Sequence, residues 1–600
     1  MSPKPTPEAE SRAWTWGSLV PYMRPDAKWY ALALVLTPAV AALNVAQPRL
    51  LKAVIDAHVT GGSPEGLQRD AGYFLAAVVG AFLMEGVYTY VTALAAENTI
   101  LRLRHALVRQ VLSLSQRFFE GQPTGQLMSR ATSDIDALND ALTSGSISLA
   151  LDVLTMVGVL VSMFLLDWKL ALVLCLLGPP IAGVIEFARR RMRSLFAEIR
   201  DSLASLNAYV AERVAGIEVI QLYGLELRVT ERFAELNARY RDSNVTNNFY
   251  DAGLYAFIDG IASVCIAVML YWGATSGSEP ALIVGLVVAF NGYIDQLFRP
   301  LREISGKITF IQRAATALDK IFWLLGVDDR ITAGDRGLAE AKGHLRIRDL
   351  RFRYRDDAPW ILDGIDLEVQ PGEVVAVVGR TGAGKSTLVR LLARVHDGYQ
   401  GNIEVDGVEL SRLRPQDIRR AVGTVRQEVQ LFRDTLRFNV TLDDPSLDPA
   451  RVQAAVAQSG LDRIAARLPE GMGHVIRDRG SDLSAGEGQI VSLARTLARD
   501  PALVILDEAT ASVDPVSERL LQEAIERLFV DRTCLVIAHR LSTITRADRI
   551  VVLHAGKVAE VGSHAELLER DGMYAALYRE GLQAGGELEP APTTPKPGAA

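Results

Sequence analysis

Six long apolar segments in the first half of this 600-residue chain limit the folds open to it. They cover roughly residues 29–55, 71–96, 147–166, 170–187, 252–273 and 281–298. A helix needs about 20 consecutive apolar residues to cross a bilayer. A single segment of this kind also fits a buried helix in a soluble protein, but six together predict an all-α domain with six membrane-spanning helices.

A glycine-rich motif in the second half predicts a different kind of domain. Residues 379–387 fit the pattern G-x-x-x-x-G-K-[ST] and follow the strand-like run Val374–Val378. In such a phosphate-binding loop, glycines let successive backbone N–H groups point at phosphate oxygens, the lysine reaches the β- and γ-phosphates, and the hydroxyl after it ligates Mg²⁺. The predicted ATP and Mg²⁺ site therefore includes Gly379, Thr381, Gly382, Gly384, Lys385, Ser386 and Thr387.

A hydrophobic run at residues 504–508 ends in two carboxylates, Asp507 and Glu508. Beside a phosphate-binding loop, the first is placed to organise Mg²⁺ and the second to act as general base on an attacking water. His539 follows another strand-like run, at 534–538, and is predicted to contact the γ-phosphate and position that water. The predicted catalytic residues are thus Lys385, Glu508 and His539.

Basic residues are concentrated in two of the links between the apolar segments. The second link carries five arginines and the fourth segment ends in Arg189, Arg190, Arg191 and Arg193, whereas the other links are poor in Lys and Arg. By the positive-inside bias, both chain termini are predicted to be cytoplasmic, in a multi-pass protein of the inner membrane. The two basic links are long and helical in pattern, so the membrane helices are expected to extend into the cytoplasm. They turn near residues 118–125 and 215–224, and these turns are the expected contacts to the nucleotide domain.

The segment Leu483–Glu487, which reads LSAGE, resembles the LSGGQ signature of the ATP-binding cassette (ABC) exporters. The chain resembles a half-transporter of the multidrug or lipid type over about residues 15–582. The resemblance implies that Tyr354 stacks on adenine, that Gln427 senses Mg²⁺, and that Asp514 links the two sites of a dimer. It also implies that Ser484 and Gly486 serve the nucleotide of a second subunit, so that the expected partner is a second half-transporter.

This signature segment departs from the family pattern at two positions. Ala485 replaces a glycine and restricts the backbone if that position needs positive φ, and Glu487 replaces a glutamine and adds negative charge near triphosphate. Just upstream, Arg477 and Asp478 replace the glycine and glutamate that are usual in the family. With the chain's own phosphate-binding side intact, these departures together resemble the catalytic subunit of heterodimeric exporters. The heterodimer is favoured and a homodimer remains open.

The domains predicted from these features are an N-terminal cytoplasmic segment (1–26), the helical membrane domain (27–325), a linker (326–343), the α/β nucleotide domain (344–582) and a disordered tail (583–600). No signal peptide is expected. The net charge of −7 gives no indication of a basic surface that would bind nucleic acid. The three cysteines are expected to be buried thiols. Glu85, Asp259 and Asp295 lie within apolar segments and are candidates for a transport pathway.

The function implied is ATP-driven export of a hydrophobic or amphipathic substrate, a drug or lipid, by alternating access. The alternative is a nucleotide-gated or regulatory membrane protein with little turnover, which the presence of both Glu508 and His539 disfavours.

Overall fold

A computed structural model describes residues 16–60, 65–275, 280–331, 334–338, 341–355, 357–477, 480–507, 515–529, 532–538 and 540–583. These residues form two compact units. The helical unit contains the described part of residues 4–112 together with 124–327. The nucleotide unit contains residues 113–123 together with the described part of 328–583. All but one residue of the predicted tail (583–600) lies outside the described residues.

The helical unit begins with single helical turns over Trp16–Asp26. Its helices are α1 (Ala27–Val54), α2 (Leu67–Ser113), α4 (Thr124–Ala131), α5 (Ser133–Asp140), α6 (Ile147–Leu166), α7 (Trp168–Ala215), α8 (Ile217–Leu222), α9 (Glu226–Thr275) and α10 (Pro280–Leu325). The intervening helix α3 (Gln116–Gly121) belongs to the nucleotide unit.

The helical domain is built to span a membrane. Within the described residues, four helical stretches are long and apolar enough to cross one: Trp16–His58, Leu67–Ser113, Thr124–Leu166 and Glu226–Tyr271. The other two predicted segments lie on α7 and α10, and the count of six stays a prediction. Helices α2, α7, α9 and α10 contain 47, 48, 50 and 46 residues, more than twice the length that a bilayer requires. The long helical extensions are therefore present.

Near a buried proline, side chains of α10 donate hydrogen bonds to the backbone of α1. Pro48 lies inside α1 and has no N–H, so the carbonyl of Asn44, four residues earlier, lacks its usual helical donor. Gln296 on α10 supplies a substitute, because its Nε2 donates to Asn44 O at 2.9 Å. Tyr293, one turn earlier on α10, donates its hydroxyl to Val45 O at 2.9 Å. Helix α10 thus supplies a donor to the carbonyl that the proline leaves open, as expected in lipid, and adds a second hydrogen bond to the next carbonyl.

The nucleotide unit contains two sheets and their helices. The strands are β1 (Leu345–Phe352), β2 (Leu362–Val369), β3 (Val374–Val378), β4 (Gln400–Val405), β5 (Val408–Glu409), β6 (Val422–Val425), β7 (Leu503–Asp507), β8 (Thr533–Ile537), β9 (Arg549–His554) and β10 (Lys557–Gly562). The helices are α11 (Lys385–Leu392), α12 (Pro415–Ala421), α13 (Leu436–Thr441), α14 (Pro449–Ser459), α15 (Leu461–Ala465), α16 (Ala485–Leu497), α17 (Pro515–Phe529), α18 (Leu541–Ile544), α19 (His564–Glu569) and α20 (Met573–Gln583). This unit confirms the predicted α/β domain.

The sheet that carries the site has the strand order β10-β9-β3-β8-β7-β6. Strands β6, β7, β8, β3 and β9 run parallel, and β10 pairs antiparallel with β9. Every residue of β3 is buried, because apolar clusters cover both faces of the sheet. The smaller sheet, β2-β1-β4-β5, is antiparallel. Ligands of open parallel sheets bind beyond the carboxyl ends of the strands, and this is where β3 delivers the phosphate-binding loop.

Candidate nucleotide site

The phosphate-binding loop connects the carboxyl end of β3 to the first turn of α11. Gly382 and Gly384 have φ values of +85° and +102° in this loop. A Cβ at Gly384 would lie 2.6 Å from Leu362 Cδ2, whereas a Cβ at Gly382 would meet nothing within 4 Å. Residue 384 therefore has to be glycine for both conformation and space, and residue 382 for conformation alone.

Lys385 and Ser386 open helix α11 at the point where its free N–H groups face the loop. The Lys385 ammonium is buried and donates to the carbonyl oxygens of Gly379 and Arg380. Ser386 is exposed, and Thr381 is exposed on the loop. The helix N-terminus, one buried cation and an exposed hydroxyl make this edge suited to a triphosphate.

The three predicted Mg²⁺ ligands converge. Ser386 on α11, Gln427 just after β6 and Asp507 at the end of β7 line a single cavity of about 310 Å³. The described residues contain no group of three His, Cys, Asp or Glu that would hold a metal by themselves. One carboxylate with neutral oxygens fits Mg²⁺, which usually binds one or two carboxylates together with substrate phosphates and water.

Tyr354 lies two residues beyond β1 and is held on several sides. Its hydroxyl is 3.2 Å from Thr387 Oγ1, which joins two residues predicted to bind the nucleotide. Its ring packs edge-on against Phe352, with centroids 5.0 Å apart, and against His396, with centroids 5.4 Å apart. The aromatic is thus tied to the helix that follows the phosphate-binding loop.

The signature segment forms the start of helix α16. Ser484 is the N-cap, and Glu487 completes a capping box in which each side chain accepts a backbone N–H of the other residue, at 3.2 and 2.9 Å. Glu487 also pairs with Arg467. Ala485 is the first helical residue, where φ is negative, so the positive φ under which alanine would restrict the backbone does not occur at this position. Gly486 is buried in the first turn.

Three predicted site residues, Glu508, Asp514 and His539, lie outside the described residues. Strand β7 ends at Asp507, directly before Glu508, and β8 ends at Ile537, two residues before His539. Both strands approach the edge that carries the phosphate-binding loop.

Comparisons with known proteins agree with this geometry. Residues 30–301 match the family model described as the ABC transporter transmembrane region, and residues 362–511 match the model described as ABC transporter. An ATP-dependent lipid A-core flippase of Ralstonia nicotianae is 35% identical over 581 residues, which cover 96% of this chain and 97% of the relative. The chain belongs to the ABC exporter family.

Two further relatives place this exporter within the family. A putative multidrug export ATP-binding/permease protein of Bacillus subtilis is 30% identical over 565 residues, covering 93% of the exporter and 97% of the relative. The solved structure of a bacterial Atm1-family ABC exporter with ATP bound has a TM-score of 0.72 and 27% identity, covering 92% of this chain and 98% of that one. The exporter is therefore an ATPase coupled to membrane transport, and its nucleotide domain binds ATP.

In the membrane domain of this exporter, the structure shows an ion pair between two helices that the sequence reasoning missed. Asp152 on α6 pairs with Lys307 on α10, and Glu303 lies 3.4 Å from the same ammonium. The signal was available, because Asp152 lies inside the third apolar segment. The three predicted pathway residues, Glu85, Asp259 and Asp295, are exposed on the surface of the chain.

The cysteines of the exporter differ from one another. Cys265 and Cys534 are buried as expected, and burial raises the pKa of the Cys534 thiol to about 12. The prediction of a buried thiol is wrong for Cys175, which is exposed on α7. Apolar neighbours in the sequence do not distinguish a buried position from one that faces lipid, because lipid tails are as apolar as a protein interior.

Proposed function

We propose that this exporter moves amphipathic, lipid-like or drug-like molecules out of the inner leaflet as a homodimer, with both termini in the cytoplasm. The observation that carries the ATP-driven part is the convergence of Ser386, Gln427 and Asp507 on one cavity beside Lys385. The substrate class follows the relatives, which are named as a lipid A-core flippase and a multidrug export protein.

The proposed roles of the described residues follow from the positions of their side chains, and those of Glu508, His539 and Asp514 follow from the sequence motifs. Lys385 and the loop N–H groups neutralise the β- and γ-phosphates, and Tyr354 stacks on adenine. Thr387 supports the phosphate-binding loop, to which it belongs, and holds the hydroxyl of Tyr354. Ser386, Gln427 and Asp507 hold Mg²⁺, which supplies charge neutralisation for phosphoryl transfer. Glu508 accepts a proton from the attacking water. His539 orients that water, and Asp514 communicates between the sites.

The signature segment supports the homodimer over the heterodimer that the sequence favoured. That preference depended on Ala485 and Glu487, and also on Arg477 and Asp478, of which Asp478 lies outside the described residues. Ala485 fits a helical start without backbone strain, and the Glu487 carboxylate is partly compensated by Arg467 and by the Ser484 N–H. Ser484 and Gly486 are therefore proposed to complete the ATP site of a second copy of this chain.

An exposed apolar tip also supports a dimer. The side chains around α8 are mostly apolar and mostly exposed, with Leu222 73%, Tyr223 75% and Leu227 82% accessible. Exposed apolar clusters of this kind mark interaction surfaces. We propose that the tip docks on the nucleotide domain of the second copy.

The test is steady-state ATP turnover of the chain purified alone in lipid, with Glu508→Gln as the matched control. Turnover that is lost in Glu508→Gln while ATP binding remains supports both the base and the homodimer. ATP binding without Glu508-dependent turnover contradicts the homodimer, and a second protein that restores turnover would establish the heterodimer. If no partner restores it, the nucleotide-gated alternative is favoured.

The signature substitutions are tested in the same assay. Ala485→Gly with Glu487→Gln is expected to change turnover by less than about twofold, because the helix start is already well formed. A large gain in turnover would mean that the natural signature segment limits hydrolysis, as the heterodimer hypothesis requires.

A further inference from the structure

A charged cluster links the first-loop segment (residues 113–123) to Tyr354 inside the nucleotide unit. Glu120 on α3 accepts a hydrogen bond from Arg390 Nη1 at 3.0 Å. The same Arg390 nitrogen lies 3.5 Å from the Tyr354 hydroxyl. Glu120 Oε1 also lies 3.5 Å from Nε2 of His396, whose ring packs edge-on against Tyr354. One carboxylate therefore contacts both basic residues that border this aromatic.

The geometry leaves Arg390 dependent on Glu120. Its contact with the Tyr354 hydroxyl is long for a hydrogen bond, and the guanidinium is 40% exposed. Without the carboxylate, such a side chain is free to turn towards water. Arg390 lies one turn after Thr387 on α11, so it approaches the hydroxyl from a second direction. Two contacts then fix the hydroxyl, where one would allow the ring to tilt.

We propose that Glu120 is a positioning residue for Tyr354, which it orients through Arg390 so that the ring presents its face to the adenine of ATP. The inference rests on the proposed adenine-stacking role of Tyr354. It adds that the first-loop segment sets the affinity of this site for ATP through a defined side-chain contact. A displacement of α3 would release Arg390 and weaken stacking, without disturbing the phosphate-binding loop.

The test is the dependence of ATP turnover on ATP concentration in Glu120→Gln. Stacking on adenine acts in the ground state and the transition state alike, so its loss raises KM and leaves kcat nearly unchanged. A half-exposed charge pair supports an expected rise in KM of about two- to fivefold. The inhibition constant of inorganic tripolyphosphate, which has no base to stack, is expected to stay unchanged.

A double-mutant cycle separates this positioning role from a general structural one. Tyr354→Phe keeps the ring and removes the hydroxyl, so Glu120→Gln in that background is expected to add little to KM. Glu523→Gln is the matched control, because it removes a carboxylate from another half-exposed pair, with Arg463 at 3.3 Å. Its KM for ATP is expected to equal that of the wild type.

Three results would overturn the inference: an unchanged KM in Glu120→Gln, an equal rise in KM in both backgrounds, or a matching rise for tripolyphosphate. Each is readable only if the wild type shows Glu508-dependent turnover. Absence of that turnover is a failure of the proposed function and is thereby distinguished from a failure of the Glu120 role.

Discussion

The hydrogen bond from Gln296 to the carbonyl that Pro48 leaves open predicts a specific energetic coupling between two helices. In Gln296→Leu, the partly buried Asn44 oxygen loses its donor, and a fully buried acceptor without a donor costs about 1–3 kcal/mol. Part of this is offset, because Gln296 Oε1 is itself buried without a partner among the described residues. The expected net loss is about 1 kcal/mol, within the range measured for hydrogen bonds between membrane helices.

Pro48→Ala supplies the second arm of the test. It restores a backbone N–H four residues after Asn44, so the carbonyl regains an ordinary helical donor. Gln296→Leu in this background is expected to cost close to nothing. The coupling energy between the two positions is then about 1 kcal/mol, nearly the whole effect of the single substitution.

The assay is the thermal midpoint of the membrane domain in detergent, followed for both single variants and the double variant. A change of about 1 kcal/mol corresponds to roughly 2 °C for a domain of this size. Asn291→Leu, which removes an exposed amide from the same helix, is the control and is expected to leave the midpoint unchanged. Equal shifts from Gln296→Leu with proline and with alanine at position 48 would refute the reasoning.

Three further predictions concern other parts of the exporter. Asp152→Asn is expected to lower the thermal midpoint by leaving the Lys307 ammonium poorly compensated, at a cost of about 2–4 kcal/mol, and Lys307→Met added to it is expected to recover most of the loss. Burial lowers the pKa of His396 in the folded state. The contribution of His396 to stability is therefore complete above the pKa of an unfolded histidine, about 6.5, and is lost as the pH falls below it. His396→Phe should make the thermal midpoint less dependent on pH between pH 7.5 and 5.5. Gly384→Ala should abolish ATP binding in a titration, since it adds a clash with Leu362 to backbone strain, whereas Gly382→Ala, with open space, should weaken binding only.

The nucleotide domain, and the placement of Ser386 and Asp507 beside one cavity, were predictable because they follow local patterns. The motif at 379–387 marks a strand, a turn and a helix at once, and Asp507 ends a buried strand, so parallel pairing brings it to the same edge as Ser386. The bounds were less accurate: the strand-like run at 534–538 is displaced by one residue from β8, which covers Thr533–Ile537. Local pattern does not encode the end of a strand as strongly as its apolar centre.

The missed features depend on contacts between residues far apart in the chain. Gln296 and Asn44 are separated by 252 positions, and Lys307 and Asp152 by 155. No local pattern in the sequence indicates that the Gln296 amide donates to a backbone carbonyl of another helix. At Ala485 the sequence left the backbone conformation open. The family glycine suggested unusual φ, but residue 485 follows an N-cap and takes ordinary helical geometry.

The membership of residues 113–123 in the nucleotide unit has a consequence for synthesis of the chain. Glu120 leaves the ribosome 270 residues before Arg390. At roughly 5–20 residues per second, the delay between them is about 15–50 s. The first-loop segment must therefore stay exposed, with its carboxylate unpaired from Arg390, while most of the membrane domain is made and inserted. A nucleotide domain made without residues 113–123 would therefore lack the partner of Arg390.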